Sequence, residues 1–310
     1  MIIALSIILV IVITYFIMSV ILFNKSTKGR QTEDNLFDEH QSRGVRPYLD
    51  ELRSARSWLD KVPYDDIYVT SYDNLKLYAK FYHSKTPRAV AILVHGYQGD
   101  GETCYPIFAK FLLEQNIDVV IIRQRAHVHS EGKRLCFGIK ERFDVQKWCE
   151  YVSSIIPKGM PIFLSGISMG GATVLLASSL DLPENVKFIV NDCGYSDTYE
   201  EFNAAAKFMH YIPILFTPVG RLLYKITEGI DIKKVRPVDE AAKSKLPILT
   251  IHGEEDTFVP FYMCKDIYNA IKSDKELITV PGATHGMSYL VDTKRCNEVF
   301  QRWIDKYLYN

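Results

Sequence analysis

The sequence has no excess of charge of either sign. Its 310 residues include 37 lysines and arginines and 37 aspartates and glutamates, and no run of basic residues forms a patch. Nucleic-acid binding depends on a basic excess or a basic patch. These two absences argue against nucleic acid as the main partner.

Paired cysteines are also missing. No two of the six cysteines have the C-x-x-C spacing of zinc ribbons and redox motifs. Scattered cysteines in a chain of this length are expected to be reduced structural thiols rather than a disulfide framework or a zinc site. They are Cys104, Cys136, Cys149, Cys193, Cys264 and Cys296.

Charged residues are absent from residues 1–23, which are mostly isoleucine, leucine and valine. About 20 apolar residues are enough for a helix to cross a membrane. A cleavable signal peptide would have a basic leader and small residues at a cleavage site, and this segment has neither. We therefore predict a retained single-pass membrane anchor. Because Lys25, Lys28 and Arg30 follow it, the positive-inside rule places the rest of the chain in the cytoplasm.

Residues 24–62 are predicted to form a tether and an amphipathic helix. Residues 25–44 are polar and contain few large apolar side chains, as in a tether. Residues 47–59 have apolar side chains at helical spacing, which is typical of a helix that packs on the main domain. A helix lying on the lipid surface is the alternative interpretation.

From residue 63 to residue 310, short apolar strands alternate with helical patterns. The pattern predicts a mostly parallel sheet of about eight strands with helices on both faces and an antiparallel edge formed by the first two strands. Strands are predicted at residues 67–70, 76–82, 89–94, 118–122, 161–164, 188–190, 247–251 and 277–280. Helices are predicted at residues 140–155 and 172–180, and over about a dozen residues from Tyr105.

The interval between residues 190 and 247 is longer than a single crossover helix needs. Two helices are predicted there, at residues 200–210 and 219–227, separated by Pro213 and Pro218. The interval is rich in aromatic residues. An insertion at the carboxyl edge of the sheet, at about residues 195–236, would form a cap over the binding site.

The strongest chemical motif is GISMGG, residues 166–171, which lies between an apolar strand and an alanine- and leucine-rich helix. A serine is a useful nucleophile only if it is exposed, near a base and beside donors for the oxyanion. A sharp turn from strand to helix exposes it, and Gly166 and Gly170 remove side chains that would collide. The motif predicts Ser168 as the nucleophile and the Met169 amide as an oxyanion donor.

In this arrangement an acid and then a base follow the serine. Asp256 lies in GEEDTFVP and His285 in GATHGMSY, each in the loop after a strand, where a parallel sheet collects its functional groups. His285 is predicted to take the proton of Ser168 and to return it to the leaving group. Asp256 is predicted to orient the imidazole and to stabilise its charge.

Other acids and histidines compete for these roles. Glu254 and Glu255 precede Asp256 directly, and Asp192 also closes a strand, so these three are the rival acids. His95 and His252 each follow a strand and precede a glycine. That position favours packing of the turn over proton transfer.

The second oxyanion donor is expected in the loop after the third strand, HGYQGD, residues 95–100. Its glycines let the backbone expose amides, and the Tyr97 amide is the predicted donor. The four motifs, in this order, resemble those of the α/β-hydrolase family, specifically small esterases, monoacylglycerol-lipase-like proteins and S33-type aminopeptidases. The resemblance covers about residues 64–310. It implies a triad of Ser168, Asp256 and His285, an oxyanion hole at Tyr97 and Met169, and neither metal nor cofactor.

A further stretch, IRQRAHVHSEGK at residues 122–133, resembles the family's Asp-x-Arg-Gly-His-Gly-x-Ser loop. Ala126 and Val128 replace the usual two glycines, so a differently shaped loop is expected. His127 and His129 invite a metal interpretation, but two histidines alone make a poor metal site.

The leading hypothesis is a membrane-anchored hydrolase of carboxylic esters that acts on a small-molecule or lipid-like acyl ester through an acyl-enzyme. A serine aminopeptidase is an alternative, with Asp197, Glu200 and Glu201 of the cap available to bind an ammonium group. Thioesterase and acyltransferase activities share the same first step. A non-catalytic scaffold would be expected to lack a residue of the triad, and none is missing.

Overall fold

A computed structural model describes residues 2–32, 44–208 and 210–309. Its strands are β1 (Tyr64–Thr70), β2 (Lys76–Tyr82), β3 (Ala89–Val94), β4 (Ile117–Ile122), β5 (Ile162–Ile167), β6 (Val186–Asp192), β7 (Ile248–Gly253) and β8 (Lys275–Val280). Its helices are α1 (Ile2–Ser26), α2 (Leu49–Leu59), α3 (Gly101–Cys104), α4 (Pro106–Glu114), α5 (Glu141–Ile155), α6 (Met169–Ala177), α7 (Thr198–Phe208), α8 (Pro213–Glu228), α9 (Pro237–Ala241), α10 (Phe261–Ala270), α11 (Ser288–Val291) and α12 (Thr293–Leu308).

The strands form one sheet in the order β1-β2-β4-β3-β5-β6-β7-β8. The β1–β2 and β2–β4 pairs are antiparallel, and the other pairs are parallel. The predicted mostly parallel sheet with an antiparallel edge is therefore confirmed. Because β3 and β5 to β8 run in the same direction, the loops that follow them meet at one edge of the sheet.

Helices cover both faces of the sheet. Alternate residues of the fully buried strand β3 point to opposite faces, as the period of two in a strand requires. Leu93 belongs to the apolar cluster that includes residues of α2, α4 and α12, and Ile92 belongs to the cluster that includes residues of α5, α6 and α10. The continuous apolar runs of the central strands follow from this burial on two sides.

The helix predicted at residues 47–59 is present as a 3₁₀ turn, Arg46–Tyr48, followed by α2. Leu52, Ala55 and Leu59 are buried on one side of α2, which packs against α4. In the structure this helix therefore packs against its neighbour α4, as the first interpretation predicts.

The cap consists of α7 and α8, between β6 and α9. The predicted start of its second helix at residue 219 is wrong, because α8 begins at Pro213 and continues through Pro218. Proline at the first position of a helix loses no hydrogen bond, since that amide has no acceptor in the helix. Proline inside a helix disfavours the helix. Phe216 and Tyr224, on either side of Pro218, are buried, and their packing stabilises α8. The predicted helix at residues 200–210 corresponds to α7, and its position 209 lies outside the described residues.

Helix α1 is long and apolar enough to span a membrane. Most of its side chains are exposed, but Ser19, Phe23 and Ser26 are buried, and the Phe23 ring meets Tyr224 of α8 edge-on at 4.8 Å. Thr27 and Arg30, near the start of the predicted tether, accept main-chain hydrogen bonds from Leu135 and Val128. Residues 33–43 of the predicted tether lie outside the described residues.

Candidate active site

Ser168 lies at the turn from β5 into α6, with φ 55° and ψ −121°. This left-handed backbone is disfavoured for a residue with a side chain. The turn brings the backbones on either side of Ser168 into close contact. A Cβ at Gly166 would come within 2.1 Å of the Gly170 carbonyl oxygen. The Ser168 amide donates to the Asp192 carbonyl at 2.8 Å, which ties the turn to the end of β6.

The structure brings Ser168, His285 and Asp256 together from three different loops. His285 Nε2 lies 2.8 Å from Ser168 Oγ, and His285 Nδ1 lies 2.7 Å from Asp256 Oδ2. A nucleophile and its base need this separation, with the base oriented by a third group. The catalytic roles of the three residues stay a prediction.

The Asp256 carboxylate is held by its own loop. Its Oδ1 accepts hydrogen bonds from the amides of Phe258 and Val259, each at 2.9 Å, which leaves Oδ2 directed at His285. The carboxylate is buried, and the Phe258 ring lies 4.9 Å from the imidazole. The motif GEEDTFVP thus supplies both the acid and the amides that fix its orientation.

The rival acids lie in other environments. Glu254 and Glu255 are exposed, and Glu254 accepts a hydrogen bond from Thr279. The Asp192 side chain lies closer to the site, and burial raises its pKa to about 7. Its Oδ1 has no hydrogen-bond partner among the described residues. Asp192 contacts the serine turn through its main-chain carbonyl, whereas the hydrogen bond at His285 Nδ1 joins the imidazole to Asp256.

The other histidines of the sheet edge are buried and hydrogen-bonded to main chain. His95 Nε2 accepts from the Gln124 amide at 3.1 Å, so its Nδ1 carries the proton and donates to the Gly96 carbonyl at 2.8 Å. Burial lowers the pKa of His95, and it lowers the pKa of His127 to about 4. His252 lies 2.9 Å from the Val259 carbonyl. All three pack turns, as expected for His95 and His252.

The predicted oxyanion donors belong to the start of α6 and to the loop after β3, which approaches the serine turn. Met169 opens α6, where the first amides have no acceptor inside the helix. Gly96, the neighbour of Tyr97, lies so near that its Cβ would come within 3.3 Å of Ser168 Cβ. The Tyr97 ring stacks on Phe137 at 5.9 Å, and burial raises the pKa of its hydroxyl to about 12. The assignment of the two amides stays a prediction.

Cys193 also lies at the site, although the sequence analysis did not predict it. The ligand atoms of Cys193, Asp256 and His285 lie within 4.8 Å of one another, the spacing of a group that could hold a metal ion. Burial raises the pKa of the Cys193 thiol, which disfavours the thiolate that binds metals. Its position directly after a strand end was the available signal. His127 and His129 are not part of this group.

Apolar residues of the cap, the serine turn and the end of α1 form one buried cluster above the site. Its members include Phe23, Met169, Phe202, Phe216, Tyr224 and Met263, with Tyr97 and Phe258 packed against it. The groups that surround Ser168 and His285 are therefore largely apolar and aromatic.

Comparisons with known proteins agree with this architecture. The family model described as "Serine aminopeptidase, S33" matches residues 85–235. The uncharacterized protein YqkD of Bacillus subtilis is 23% identical over 199 residues, 64% of this chain and 65% of YqkD. The monoglyceride lipase of Rattus norvegicus is 31% identical over 137 residues, 42% of this chain and 44% of the lipase. The aligned part thus spans just under two thirds of YqkD and less than half of the lipase.

Among solved structures, the esterase Pf2001 of Pyrococcus furiosus has a TM-score of 0.68 with 20% sequence identity, over 91% of this chain and 98% of the esterase. This likeness and the eight-stranded sheet define the α/β-hydrolase fold. With the partial family match and the relatives, they show an α/β-hydrolase fold in a chain that is similar, over part of its length, to hydrolases of the esterase, lipase and peptidase type.

Proposed function

We propose that this chain is a membrane-anchored serine hydrolase that cleaves carboxylic esters with lipophilic acyl groups. The observation that carries the proposal is the hydrogen-bonded series from Ser168 Oγ through His285 to Asp256. Such a series activates a serine hydroxyl that is otherwise too weak a nucleophile.

In the proposed mechanism, His285 Nε2 takes the Ser168 proton as Oγ attacks the ester carbonyl carbon. The carbonyl oxygen becomes an oxyanion, which the amides of Tyr97 and Met169 stabilise. His285 then gives the proton to the leaving alcohol, and the acyl group stays on Ser168. Water, deprotonated by His285, attacks the acyl-enzyme and releases the acid, while Asp256 stabilises the imidazolium in both steps.

The surface of the cap supports a lipophilic substrate. Ile214, Leu222 and Ile226 recur at multiples of four along α8, and they are 80%, 49% and 71% exposed. The Tyr15 hydroxyl of α1 donates a hydrogen bond to the carbonyl of Leu215 in α8. From Tyr15 to the end of α1 the helix rises about 16 Å, about half of a hydrocarbon core of about 30 Å. If α1 spans a bilayer, this apolar face of the cap lies beside it at lipid depth.

Removal of an N-terminal residue from a peptide is the alternative that the matching family model suggests. It needs a charged acid free to bind an ammonium group. Asp197 pairs with Arg236 at 2.7 Å, and Glu200 accepts a hydrogen bond from Tyr262. Glu201 is buried, and burial raises its pKa to about 8, so it is protonated at neutral pH. Because none of these three acids is free to bind an ammonium group, they favour an ester substrate over a peptide.

The activity is tested with a fluorophosphonate probe on the full chain in detergent micelles. We expect labelling of the wild type and none of Ser168→Ala; a folded wild type that is not labelled would contradict catalysis and favour a scaffold. Parallel assays with short and long p-nitrophenyl esters, acyl thioesters and aminoacyl anilides then compare kcat/KM. Faster cleavage of the anilides would support the aminopeptidase instead.

The catalytic domain is proposed to lie in the cytoplasm because Lys25, Lys28 and Arg30 follow α1. Protease treatment of sealed inverted and right-side-out membrane vesicles tests this orientation. We expect digestion of the domain only in the inverted vesicles. Digestion only in right-side-out vesicles would reverse the assignment.

A further inference from the structure

The end of helix α1 and the residues that follow it contact the loop that carries the proposed oxyanion donor. We call residues 26–31 the post-anchor segment. Its Ser26 carbonyl accepts a hydrogen bond from the Tyr97 hydroxyl at 2.6 Å. Its Lys28 carbonyl accepts one from the Gln98 side-chain amide at 2.7 Å. Two successive residues of the oxyanion loop are therefore bonded to main chain at the end of the predicted anchor.

The same segment contacts the loop after β4. The Arg30 carbonyl accepts from the Val128 amide at 2.8 Å, and the Gln31 side chain donates to the Ala126 carbonyl at 2.5 Å. At Gly29 the approach is so close that a Cβ would come within 2.1 Å of the Ala126 oxygen. Only glycine allows this contact without displacement of one of the two backbones.

The loop residues that the segment contacts have left-handed backbone. Gln98 has φ 47° and Ala126 has φ 63°. A Cβ disfavours this region, so neighbouring contacts must hold such residues in place. The bonds from Gln98 to Lys28 and from Gln31 to Ala126 are contacts of this kind.

The end of α1 is itself fixed to the hydrolase domain. Arg134 donates to the Asn24 side chain at 2.6 Å and lies 4.9 Å from the centre of the Phe23 ring. The Thr27 carbonyl accepts from the Leu135 amide at 2.7 Å. The post-anchor segment is therefore held at its start independently of its bonds to Tyr97 and Gln98.

We propose that the post-anchor segment is a positioning element of the oxyanion hole, acting through the Tyr97 hydroxyl and the Gln98 side chain. The proposal rests on the proposed function, in which the Tyr97 amide donates to the oxyanion. A hydrogen bond weakens as its donor shifts or tilts. The bonds of these two side chains limit such movement of the Tyr97 amide. The predicted anchor thereby tunes the catalytic step in addition to its proposed attachment of the protein to a membrane.

The test compares full-length variants in detergent micelles with a soluble short-chain p-nitrophenyl ester, for which membrane attachment gives no advantage. Gln98→Ala removes the bond to Lys28, and Gly29→Ala forces the segment away from Ala126. Lys28→Ala is the matched control, because it keeps the carbonyl oxygen and changes only an exposed side chain. Gln98→Lys keeps a donor that can reach the same oxygen.

Loss of one oxyanion donor lowers kcat by about 10²–10³-fold. A displaced donor retains part of its effect, so we expect Gln98→Ala and Gly29→Ala to lower kcat about tenfold with KM changed less than twofold. Their affinity for a trifluoromethyl ketone, which forms an oxyanion on Ser168, is expected to fall by the same factor. Their affinity for the product acid is expected to stay unchanged, as are all constants of Lys28→Ala. Gln98→Lys is expected to recover most of kcat.

Equal kcat in wild type, Gln98→Ala and Gly29→Ala would overturn the proposal. So would a loss in Lys28→Ala as large as in the other two, because it would indicate general destabilisation. These results differ from failure of the proposed function itself, in which wild type and Lys28→Ala would both lack esterase activity or Ser168→Ala would retain it.

Discussion

Gly170 lies directly against Val94: a Cβ at Gly170 would come within 1.9 Å of the Val94 carbonyl oxygen. Val94 ends β3 and Gly170 is the second residue of α6. The contact therefore determines how closely the helix after Ser168 approaches the loop that carries Tyr97. It links the two proposed oxyanion donors through main-chain packing alone.

Gly170→Ala is expected to lower kcat/KM for a p-nitrophenyl ester by about 100-fold, because a shift of about 1 Å in a reacting group has that effect. The overpacked contact should also lower the free energy of unfolding by about 1–3 kcal/mol. Steady-state kinetics and urea unfolding measure the two effects. Gly159→Ala is the control for backbone strain alone: its φ of 82° disfavours alanine, but nothing lies within 4 Å of the added Cβ, so kcat/KM should not change. Full activity of Gly170→Ala would contradict the importance of this contact.

Asp256→Asn is expected to lower kcat by about 10⁴-fold while the protein stays folded, because an amide favours the wrong tautomer of His285. Asp192→Asn is the matched comparison, since Asp192 is the last residue of β6 and lies near the site. We expect it to keep kcat within a few-fold. Steady-state kinetics and circular dichroism check both variants, and a reversed order of the two losses would make Asp192 the catalytic acid.

Glu201→Gln is expected to alter the pH dependence of stability. Burial raises the folded-state pKa of Glu201 from its ordinary value to about 8. The folded protein thus keeps this proton more tightly than the unfolded chain, so the stabilisation is fully present below about pH 4 and is lost as the pH rises to about 8. Glu201→Gln cannot ionise and should reduce this decline by a few kcal/mol at most, on the order of one per pKa unit.

Thermal unfolding of wild type and Glu201→Gln between pH 5 and pH 8.5 measures this effect. Glu200→Gln serves as the control, because it changes the exposed neighbouring carboxylate. We expect the gain in Tm of Glu201→Gln over wild type to grow with pH and Glu200→Gln to show no such trend. A gain that is constant across the range would contradict ionisation of Glu201 as its cause.

Arg125→Met is expected to destabilise the fold by about 3–5 kcal/mol, because it leaves a buried charge without its partner. The guanidinium donates to both oxygens of the buried Asp144, at 2.6 and 2.7 Å, and also to Asp73. Arg53→Met removes a 3.7 Å ion pair with Asp50 at the surface and should change stability by less than about 0.5 kcal/mol. Urea unfolding compares the two, and equal effects would contradict this account.

Replacement of Ile214 and Leu222 by glutamine tests the apolar face of α8. We expect kcat/KM for a long-chain ester presented in lipid vesicles to fall by at least about 100-fold, since burial of the two side chains contributes about 1.5–3 kcal/mol each and about 1.4 kcal/mol corresponds to a factor of ten. Activity on a soluble short ester should not change. Ile155→Gln, an exposed apolar residue at the end of α5, is the control. Equal losses on both esters would indicate damage to the fold instead.

Much of the fold was predictable because its signals are local. Ala89–Val94 is a short apolar run bounded by turn residues, and the same pattern marks the other central strands. The predicted strand ends were less accurate. Strand β5 continues to Ile167, three residues beyond the predicted end at residue 164, because its pairing with β6 extends to Asp192. The start of α8 was misplaced because the packing of Phe216 and Tyr224 opposes the local preference of Pro218.

The sequence by itself determined the succession of strands and helices along the chain and the candidates Ser168, Asp256 and His285. Periodicity, glycine spacing and motif order, on which these predictions depend, are all properties of the chain. Only the tertiary structure decided that Asp256 and not Asp192 faces the imidazole, that Cys193 lies beside it, and that residues 26–31 lie against the oxyanion loop. These contacts join residues distant in the chain, and they depend on how separate elements pack, which no local pattern encodes.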